Sequence, residues 1–273
     1  MPTALIIVVL VLLAGLAAVL FAAARFNSVL HGLANRLAAA EPPQDVSASL
    51  PPLVREFALR GDAVPGDLAR QIAFTQEAEM ELQRGKPWRL LRAGQTMAVG
   101  APGFVWLAVQ PMGPVPKFRV VDAFTRGAGR LKVALFGLIP VVDAQGAEID
   151  RSEAMRYLAE LPWAPDAILG NPHLRWSMLG DDWAEVAMGP EDDPVVVRFR
   201  FDPQGDIVEM TAKGRPARDA AGKLTRLDWQ GYFRDYRMIG PRRIPAEGEV
   251  GYVENGAFKP YFQARILSYE ADH

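Results

Sequence analysis

The chain of 273 residues is 50% hydrophobic, carries a formal net charge of −2 and contains no cysteine. Its length allows one large domain or two small ones with a sizeable core. The near balance of 30 basic and 32 acidic residues argues against a nucleic-acid partner, which requires a basic patch. The absence of cysteine excludes disulfides, thiolate catalysis and cysteine-ligated metals.

Residues 4–24 contain no charged side chain and begin the chain with an apolar stretch. As a helix they would span about 32 Å, slightly more than the roughly 30 Å hydrocarbon layer of a bilayer. We therefore predict a single-pass membrane anchor over residues 1–25. A cleaved signal peptide is the alternative, although residues 1–3 lack a basic side chain. Arg25 and Arg36 follow the anchor, so the positive-inside rule favours a cytoplasmic soluble domain.

Residues 26–52 are predicted to form an amphipathic helix followed by a proline-rich linker. Apolar residues recur at helical spacing on one face of this helix, from Phe26 through Leu33 to Leu37. That face could lie along the membrane surface or dock on the domain. Two proline pairs between residues 41 and 52 favour an extended connection. A short helix should follow, before Gly61.

Residues 53–273 are predicted to form one β-rich soluble domain, because apolar and polar residues alternate from Leu68 onward. The turns Asp202-Pro-Gln-Gly205 and Asn255-Gly256 are typical of hairpins. We predict strands at 88–99, 104–110, 117–124, 131–142, 174–178, 183–188, 195–201, 206–212, 224–237, 249–254 and 258–269. The fold class is α+β: a large curved antiparallel sheet, an incomplete barrel, with one packed helix and a preceding transmembrane helix. A sandwich is the alternative, since so wide a sheet must curl or split.

One clear helix interrupts the strands at residues 151–161. Asp150 is predicted to cap its amino terminus, with Glu153 completing a capping box. Pro162 and Pro165 should prevent the helix from continuing. Its apolar face should cover the sheet and consists of Ala154, Tyr157, Leu158 and Leu161.

The sequence predicts neither a metal site nor a cofactor. His31, His173 and His273 are the only histidines, and none has ligand spacing. The pair Gly127-Ala-Gly129 lacks the third glycine of a dinucleotide fingerprint, so we interpret it as a strand-end turn or bulge. The acidic run at residues 191–193 lacks regular oxygen-ligand spacing and is interpreted as a solvated turn.

Charged residues in apolar surroundings suggest a polar cluster. Its predicted members are Arg156, Glu160, Asp181, Asp182, Asp235 and Arg243. Arg156 and Glu160 lie four residues apart and can pair on one helix face. Structural ion pairs that tie helix to sheet are the simplest interpretation. A hydrolase-type site using Asp181 or Asp182 with Arg243 is an alternative, and it requires these side chains to converge in one pocket.

Aromatic residues could line the concave face of the sheet, although core packing is their ordinary role. Such a lining would suit a lipid or another apolar small molecule. We predict that the protein is a membrane-tethered domain that binds an apolar ligand there. A structural or protein-interaction module at the membrane is an alternative function. The candidate ligand-binding residues are Trp106, Tyr157, Trp163, Trp176, Trp229 and Tyr236.

An ordered series of short motifs runs through the second half of the chain. The motifs are Arg156-Tyr-Leu-Ala-Glu160, Pro162-Trp-Ala-Pro165, Leu174-Arg-Trp176, Asp181-Asp182, Phe199-Arg-Phe-Asp202 with Gly205, Trp229-Gln-Gly231, Asp235-Tyr236, Arg243-Ile-Pro245 and Glu249-Val250. Together they resemble those of an uncharacterised bacterial family whose members often carry an N-terminal hydrophobic segment. The resemblance runs from about residue 51 to residue 269. It implies no established activity and supplies no catalytic residue.

Overall fold

A computed structural model describes residues 2–81, 85–112, 116–218 and 223–273. The helices are α1 (Pro2–Ala38), α2 (Pro52–Arg60), α3 (Ala147–Ala159) and α4 (Pro165–Gly170), with short 3-10 turns at Ser47–Ser49 and Leu161–Trp163. The strands are β1 (Gln71–Met80), β2 (Arg89–Ala98), β3 (Gly103–Gln110), β4 (Phe118–Thr125), β5 (Ala128–Leu135), β6 (Ile139–Ala144), β7 (Arg175–Met178), β8 (Trp183–Met188), β9 (Val195–Phe201), β10 (Ile207–Arg218), β11 (Leu224–Ile239), β12 (Arg242–Glu254) and β13 (Ala257–Asp272).

The strands form one 13-stranded sheet with the order β6-β5-β4-β3-β2-β1-β13-β12-β11-β10-β9-β8-β7. Each half is an antiparallel meander, and antiparallel pairing of β1 with β13 joins the two halves. The helical segment between β6 and β7 connects the two sheet edges. Within it, α3 contacts β4 and β5 of the first half and β9 and β10 of the second. This architecture confirms the predicted incomplete barrel with a packed helix.

The alternating pattern produces these strands because one face of each is buried. In β1, the inward residues Ile72, Phe74 and Ala78 are all at most 2% exposed. The predicted hairpin turn at Asn255-Gly256 is confirmed, since both residues have the positive φ angles of 51° and 77° that a tight two-residue turn requires. The turn at residues 202–205 is also present, closed by a hydrogen bond from the Gly205 amide to the Asp202 carbonyl.

The helix predicted at 151–161 begins and ends earlier than expected. It starts at Ala147 after Gly146, whose φ of 105° turns the chain out of the strand. The Asp150 capping box was therefore wrong: the Asp150 carboxylate accepts a hydrogen bond from the Gly129 amide in β5 instead. Glu153 is buried on the helix. The helix ends at Ala159, but its predicted apolar face is buried as expected.

Other element boundaries also differ from the predictions. Residues 131–142 form parts of two strands, because the chain turns between β5 and β6 with Phe136 at a φ of 53°. The strand predicted at 249–254 begins earlier, at Arg242. Its first residues are charged and have buried partners, so the sequence there does not show the alternation of apolar and polar residues. Pro165 does not end the helical segment but opens α4, since proline is favoured at the first helical position.

Helix α1 has two contrasting parts. Phe26, Leu33 and Leu37 are buried against the outer face of the sheet, beside Val105 of β3 and Val121 of β4. The apolar stripe is thus docked on the domain, which is the second of the two alternatives considered. The part before Phe26 projects away. Seven of its described apolar side chains are 53–70% exposed: Ile6, Ile7, Leu10, Leu13, Leu16, Leu20 and Phe21.

Within the described residues, one helix is long and apolar enough to cross a membrane. It is α1, in which the stretch Leu13–Ala38 contains an 18-residue window with a mean hydropathy of 1.7. A signal sequence near the amino terminus would meet the same test. The structure therefore supplies a candidate span, consistent in length and composition with an anchor.

Candidate functional site

Arg156 lies between α3 and the first half of the sheet, and its side chain is half-buried. Its guanidinium donates hydrogen bonds to Glu160 at 2.8 Å, to Asp122 of β4 at 2.5 Å and to Gln95 of β2 at 3.2 Å. It also lies over the Trp106 ring, 5.0 Å from the centroid. Burial lowers the pKa of Arg156 and the Glu160 and Asp122 carboxylates raise it, with a net rise. The cation is therefore permanent and fastens α3 to two strands.

Arg215 of β10 approaches the same region from the second half of the sheet. Its guanidinium donates to the hydroxyls of Tyr252 at 3.2 Å and Tyr261 at 3.1 Å, and lies 4.3 Å from the centroid of the Trp229 ring. The Trp229 indole N–H in turn donates to the Tyr261 hydroxyl at 3.1 Å. This aromatic enclosure explains how a buried arginine is held in the second half of the sheet.

Glu153 on α3 lies between these two arginines. We call the set Asp122, Glu153, Arg156, Glu160 and Arg215 the interior polar centre. Burial and then the neighbouring Asp122 carboxylate raise the pKa of Glu153 well above its ordinary value of 4.5, although Arg215 and Arg156 oppose the rise. Burial of Glu153 thus favours its protonated form.

Several polar atoms of the interior polar centre lack hydrogen-bond partners within the described part of the chain. They are one oxygen each of Asp122 and Glu153 and the Nε of Arg215; the indole nitrogen of nearby Trp106 is also unpartnered. Leaving such groups unpaired costs free energy, so native proteins rarely retain many of them. A proton on Glu153 would let its carboxyl donate a hydrogen bond to the neighbouring Asp122 carboxylate and so reduce the number of unpartnered oxygens.

The structure brings together only two of the six residues predicted to form a polar cluster, Arg156 and Glu160. Arg243 instead forms a two-point ion pair with Asp206, with nitrogen–oxygen distances of 2.8 and 2.7 Å. Asp235 is exposed and pairs with Arg237 at 3.0 Å. The predicted constellation is therefore divided among separate places on the molecule.

Asp181 and Asp182 do not join Arg243. Both are exposed in the turn between β7 and β8, not in a strand. They line a cleft of about 640 Å³ beside α2, together with Arg60 and Arg200. The hydrolase alternative required one shared pocket, and Arg243 is not among the residues that line this cleft.

The aromatic residues predicted to bind a ligand lie mainly in the core. Trp106, Tyr157, Trp163 and Trp229 are at most 6% exposed. The Tyr157 hydroxyl accepts a hydrogen bond from Asn171. The Trp163 and Tyr236 side chains donate to backbone carbonyls. Trp176 is half-buried and stacks 5.9 Å from the Phe199 ring centroid. Their contact with a ligand stays a prediction.

Sequence reasoning missed several interior residues. Asp122 occupies an inward position between Val120 and Phe124 in β4, and Gln95 lies at an inward position of β2. A polar residue within the apolar half of an alternating strand was an available signal for such positions. Arg215 gave no comparable signal, because a register shift between Ala212 and Arg215 interrupts the alternation of β10.

A larger cleft, of about 1040 Å³, opens between α3 and the carboxyl end of α1. The turns after β2, β4 and β8 complete its walls. Its apolar lining includes Leu37, Phe124, Ala154, Met188 and Val195. At the upper end of the usual range for ligand sites, about 300–1,000 Å³, it has room for a sizeable molecule.

Charged residues surround this cleft. Arg151 pairs with Asp193 at 2.9 Å, and Arg226 pairs with Glu148 at 2.9 Å. Arg36 and Arg126 also line it and are exposed. The cleft thus combines an apolar floor with a charged rim. Among the described residues, no group of three or more His, Asp or Glu side chains could hold a metal ion.

Three solved structures show distant similarity to the chain. A domain described as an outer membrane lipoprotein-sorting protein, from Vibrio parahaemolyticus, is 12% identical with a TM-score of 0.47, over 82% of this chain and 93% of that one. A LolA superfamily protein from Nitrosomonas europaea is 9% identical with a TM-score of 0.43, over 81% and 94%. A DUF1329 family protein from Desulfovibrio piger is 10% identical with a TM-score of 0.46, over 84% and 94%. At these scores the likeness carries no conclusion about ligand or activity.

The family of the chain is clear from its sequence. Comparison with the curated proteins gives no match. The resemblance to an uncharacterised family is confirmed, because residues 40–264 match a family model described as a family of unknown function, DUF6544. That match covers most of the chain and nearly all of the sheet, and the protein therefore belongs to the DUF6544 family.

Proposed function

We propose that this protein is a membrane-tethered domain that binds a lipid or another apolar or amphipathic molecule in the cleft between α3 and the end of α1. The observation that carries the proposal is the combination of about 1040 Å³ of space with an apolar floor. An acyl chain could occupy the floor formed by Leu37, Phe124 and Met188. A polar head group would then meet the charged rim.

The location within the fold favours this cleft over the deeper concave face. The concave face is covered by α3 and its following turn, with Tyr157, Leu158 and Leu161 fully buried. Inserting a ligand there would require displacement of the packed helix. The cleft lies beside α3, so a ligand could enter it from the charged rim without displacing the helix. Leu37, Phe124 and Met188 form the base of the cleft and are 3–5% exposed.

The tether is supported by the apolar and exposed first part of α1. Apolar side chains exposed at Leu10, Leu13 and Leu16 are costly in water but suited to hydrocarbon. We assign the tether to the inner (plasma) membrane of a bacterium as a single-pass helix. The cytoplasmic placement of the domain rests on Arg25 and Arg36 and stays a prediction.

Filling the cleft provides the test. Ala147 is exposed at the start of α3 and lines the cleft, so Ala147→Trp would occupy part of it without disturbing the core. Ala257→Trp is the matched control, since Ala257 is exposed beside the β12–β13 turn. For detergent-extracted full-length protein, we expect a fluorescent long-chain fatty acid to bind the Ala147→Trp variant about tenfold more weakly, a loss of about 1.4 kcal/mol. The control should match the wild type.

Native mass spectrometry of the same preparations would identify a co-purified lipid directly. We expect the lipid on wild type and Ala257→Trp, with much less on Ala147→Trp. Equal occupancy of all three proteins would place binding outside this cleft. Absence of both co-purified lipid and fatty-acid binding from the wild type would refute the proposed function.

A further inference from the structure

The first half of the sheet has turns at two opposite ends. Because β1 to β6 form an antiparallel meander, the turns β1–β2, β3–β4 and β5–β6 lie at one end. The turns β2–β3 and β4–β5 lie at the other end, where they line the large cleft. We call the first group the α1-exit turns, and their described residues are 81, 85–88, 111–112, 116–117 and 136–138.

The direction of α1 connects the apolar helix to these turns. Phe26 and Asn27 meet Arg119 near the start of β4: the guanidinium lies 4.4 Å from the Phe26 ring centroid and donates to the Asn27 side chain at 3.3 Å. Leu37 packs beside Gly103 at the start of β3, near the opposite end. The helix rises about 16 Å between these contacts, at 1.5 Å per residue. Residues before Phe26 therefore project beyond the α1-exit turns.

The α1-exit turns expose large apolar side chains. Trp88 is 37% exposed, Met112 47% and Phe136 40%, and Ile139 directly after the β5–β6 turn is 57% exposed. The turns at the other end, residues 99–102 and 126–127, are entirely described and have no exposed large hydrophobic side chain. The difference between the two ends concerns neighbouring turns of one meander, so general surface composition does not explain it.

Basic residues accompany these apolar side chains. Lys86 and Arg89 flank Trp88, and Lys117 follows Met112. The acidic residue described in these turns, Glu81, is engaged by the Gly85 amide at 2.6 Å. Tryptophan combined with lysine and arginine is typical of the interface between hydrocarbon and anionic head groups.

We propose that the α1-exit turns rest on the surface of the anionic phospholipid bilayer that α1 crosses. Trp88, Met112 and Phe136 enter the interfacial layer, while Lys86 and Lys117 contact lipid phosphates. The inference rests on the proposed tether and adds a second contact that orients the domain. The large cleft then opens toward water at the far end of the strands, roughly 26 Å away for an eight-residue strand.

Single-cysteine labelling can test this orientation, because the natural chain has no cysteine to compete. Full-length Met112→Cys, Phe136→Cys, Leu16→Cys and Ala128→Cys variants would each carry a bimane probe in nanodiscs of mixed phosphatidylcholine and phosphatidylglycerol. Ala128 is exposed at the opposite end and serves as the control. Nitroxide-labelled lipids, with the nitroxide near the head group or deep in the acyl chain, would quench nearby probes.

We expect the probes at positions 112 and 136 to lose more than half their fluorescence with shallow nitroxide lipids, and the probe at 128 to lose little. The probe at 16 should be quenched by deep nitroxide lipids. If 16 is quenched while 112 and 136 behave like 128, the surface contact is overturned and the tether stands. If 16 is not quenched, the tether itself fails.

Two further measurements separate lipid from other occupants of this surface. In nanodiscs of pure phosphatidylcholine, quenching of the probes at positions 112 and 136 should weaken while quenching at position 16 stays the same. The double variant Lys86→Glu/Lys117→Glu should have the same effect in the mixed nanodiscs. Unchanged quenching would overturn the role of the basic residues. Protection of 112 and 136 from aqueous iodide without quenching by nitroxide lipids would mean that a protein covers these turns, and would overturn the proposal.

Discussion

Two arginines hold the helical segment to the sheet, the buried Arg242 and the half-buried Arg156, and their partners differ. Arg242 of β12 binds Asp166 of α4 with two hydrogen bonds of 2.7 and 2.8 Å, and donates a third to the Pro241 carbonyl. Asp166 is fully buried and also accepts from the Ala69 amide at 3.1 Å. This pair is closed, since both charged groups have several well-placed partners.

Arg156 belongs to a more open arrangement. It too is paired, but the surrounding interior polar centre contains unpartnered oxygens of Asp122 and Glu153 within the described residues. A second arginine, Arg215, and the titratable Glu153 share the region. The comparison teaches that the Arg242–Asp166 ion pair is a fixed structural contact, whereas Arg156 belongs to a network whose charge state depends on a proton at Glu153.

The largest expected effect on stability is at the Arg242–Asp166 ion pair. Arg242→Ala leaves the fully buried Asp166 carboxylate without its cation, so we expect a loss of about 3–5 kcal/mol in the free energy of unfolding. Denaturant unfolding followed by tryptophan fluorescence would measure it. The control is Arg265→Ala, whose side chain is 63% exposed and pairs with Glu247, and which should change stability by at most about 0.5 kcal/mol. A similarly small loss of stability for Arg242→Ala would contradict the conclusion that the Arg242–Asp166 ion pair holds α4 to the sheet.

The apolar attachment of α3 should rank next. Leu158 is fully buried on the face of the helix that covers the sheet. We expect Leu158→Ala to destabilise the domain by about 2–5 kcal/mol, the usual range for a buried leucine. Leu267→Ala, at a position 54% exposed, is the matched control. An unchanged denaturation midpoint for Leu158→Ala would mean that α3 is peripheral and that its apolar packing on the sheet does not stabilise the domain.

The smallest effect, and the most specific to the open network, concerns pH. Because the pKa of Glu153 is raised in the folded state, the folded protein binds more protons than the unfolded chain between the two pKa values. Stability should therefore fall as pH rises from the ordinary carboxyl pKa of 4.5 toward the raised value. The contribution of this one group to the slope is at most about 1.4 kcal/mol per pH unit.

Glu153→Gln keeps the shape of the protonated acid but cannot ionise. We expect the variant to gain stability relative to wild type as pH rises through that window, measured by denaturant unfolding at successive pH values. Glu270→Gln, at an exposed position, controls for the loss of a carboxylate in general. If the free energy of unfolding varies with pH in parallel for wild type and Glu153→Gln, protonation of Glu153 does not control stability.

Much of the fold followed from local sequence pattern. The alternation in β1, the Asn255-Gly256 turn and the apolar face around Leu158 depend on the two-residue and 3.6-residue periods of strand and helix. These periods are encoded in neighbouring residues, so they can be recognised without tertiary information. The apolar composition of α1 likewise sufficed to predict a candidate membrane span.

The candidate site depended on partners distant in sequence. Asp122 and Arg156 are 34 residues apart, and Asp166 and Arg242 are 76 apart. No local pattern indicates which carboxylate meets which arginine, so Asp181 and Arg243 seemed equally suitable as a pair. Boundaries moved for the same reason: Asp150 looked like a helix cap but binds the Gly129 amide, which the sheet alone brings near.

By itself, the sequence determined the strands, their turns, the apolar helix face and the membership of a family of unknown function. Only the tertiary structure decided that β1 pairs with β13, that α1 docks on the outer face and that a cleft remains beside α3. The physical reason is that secondary structure reflects the periodicity of adjacent side chains, whereas a cleft is the space left between elements. Its shape depends on the packing of segments that are far apart along the chain.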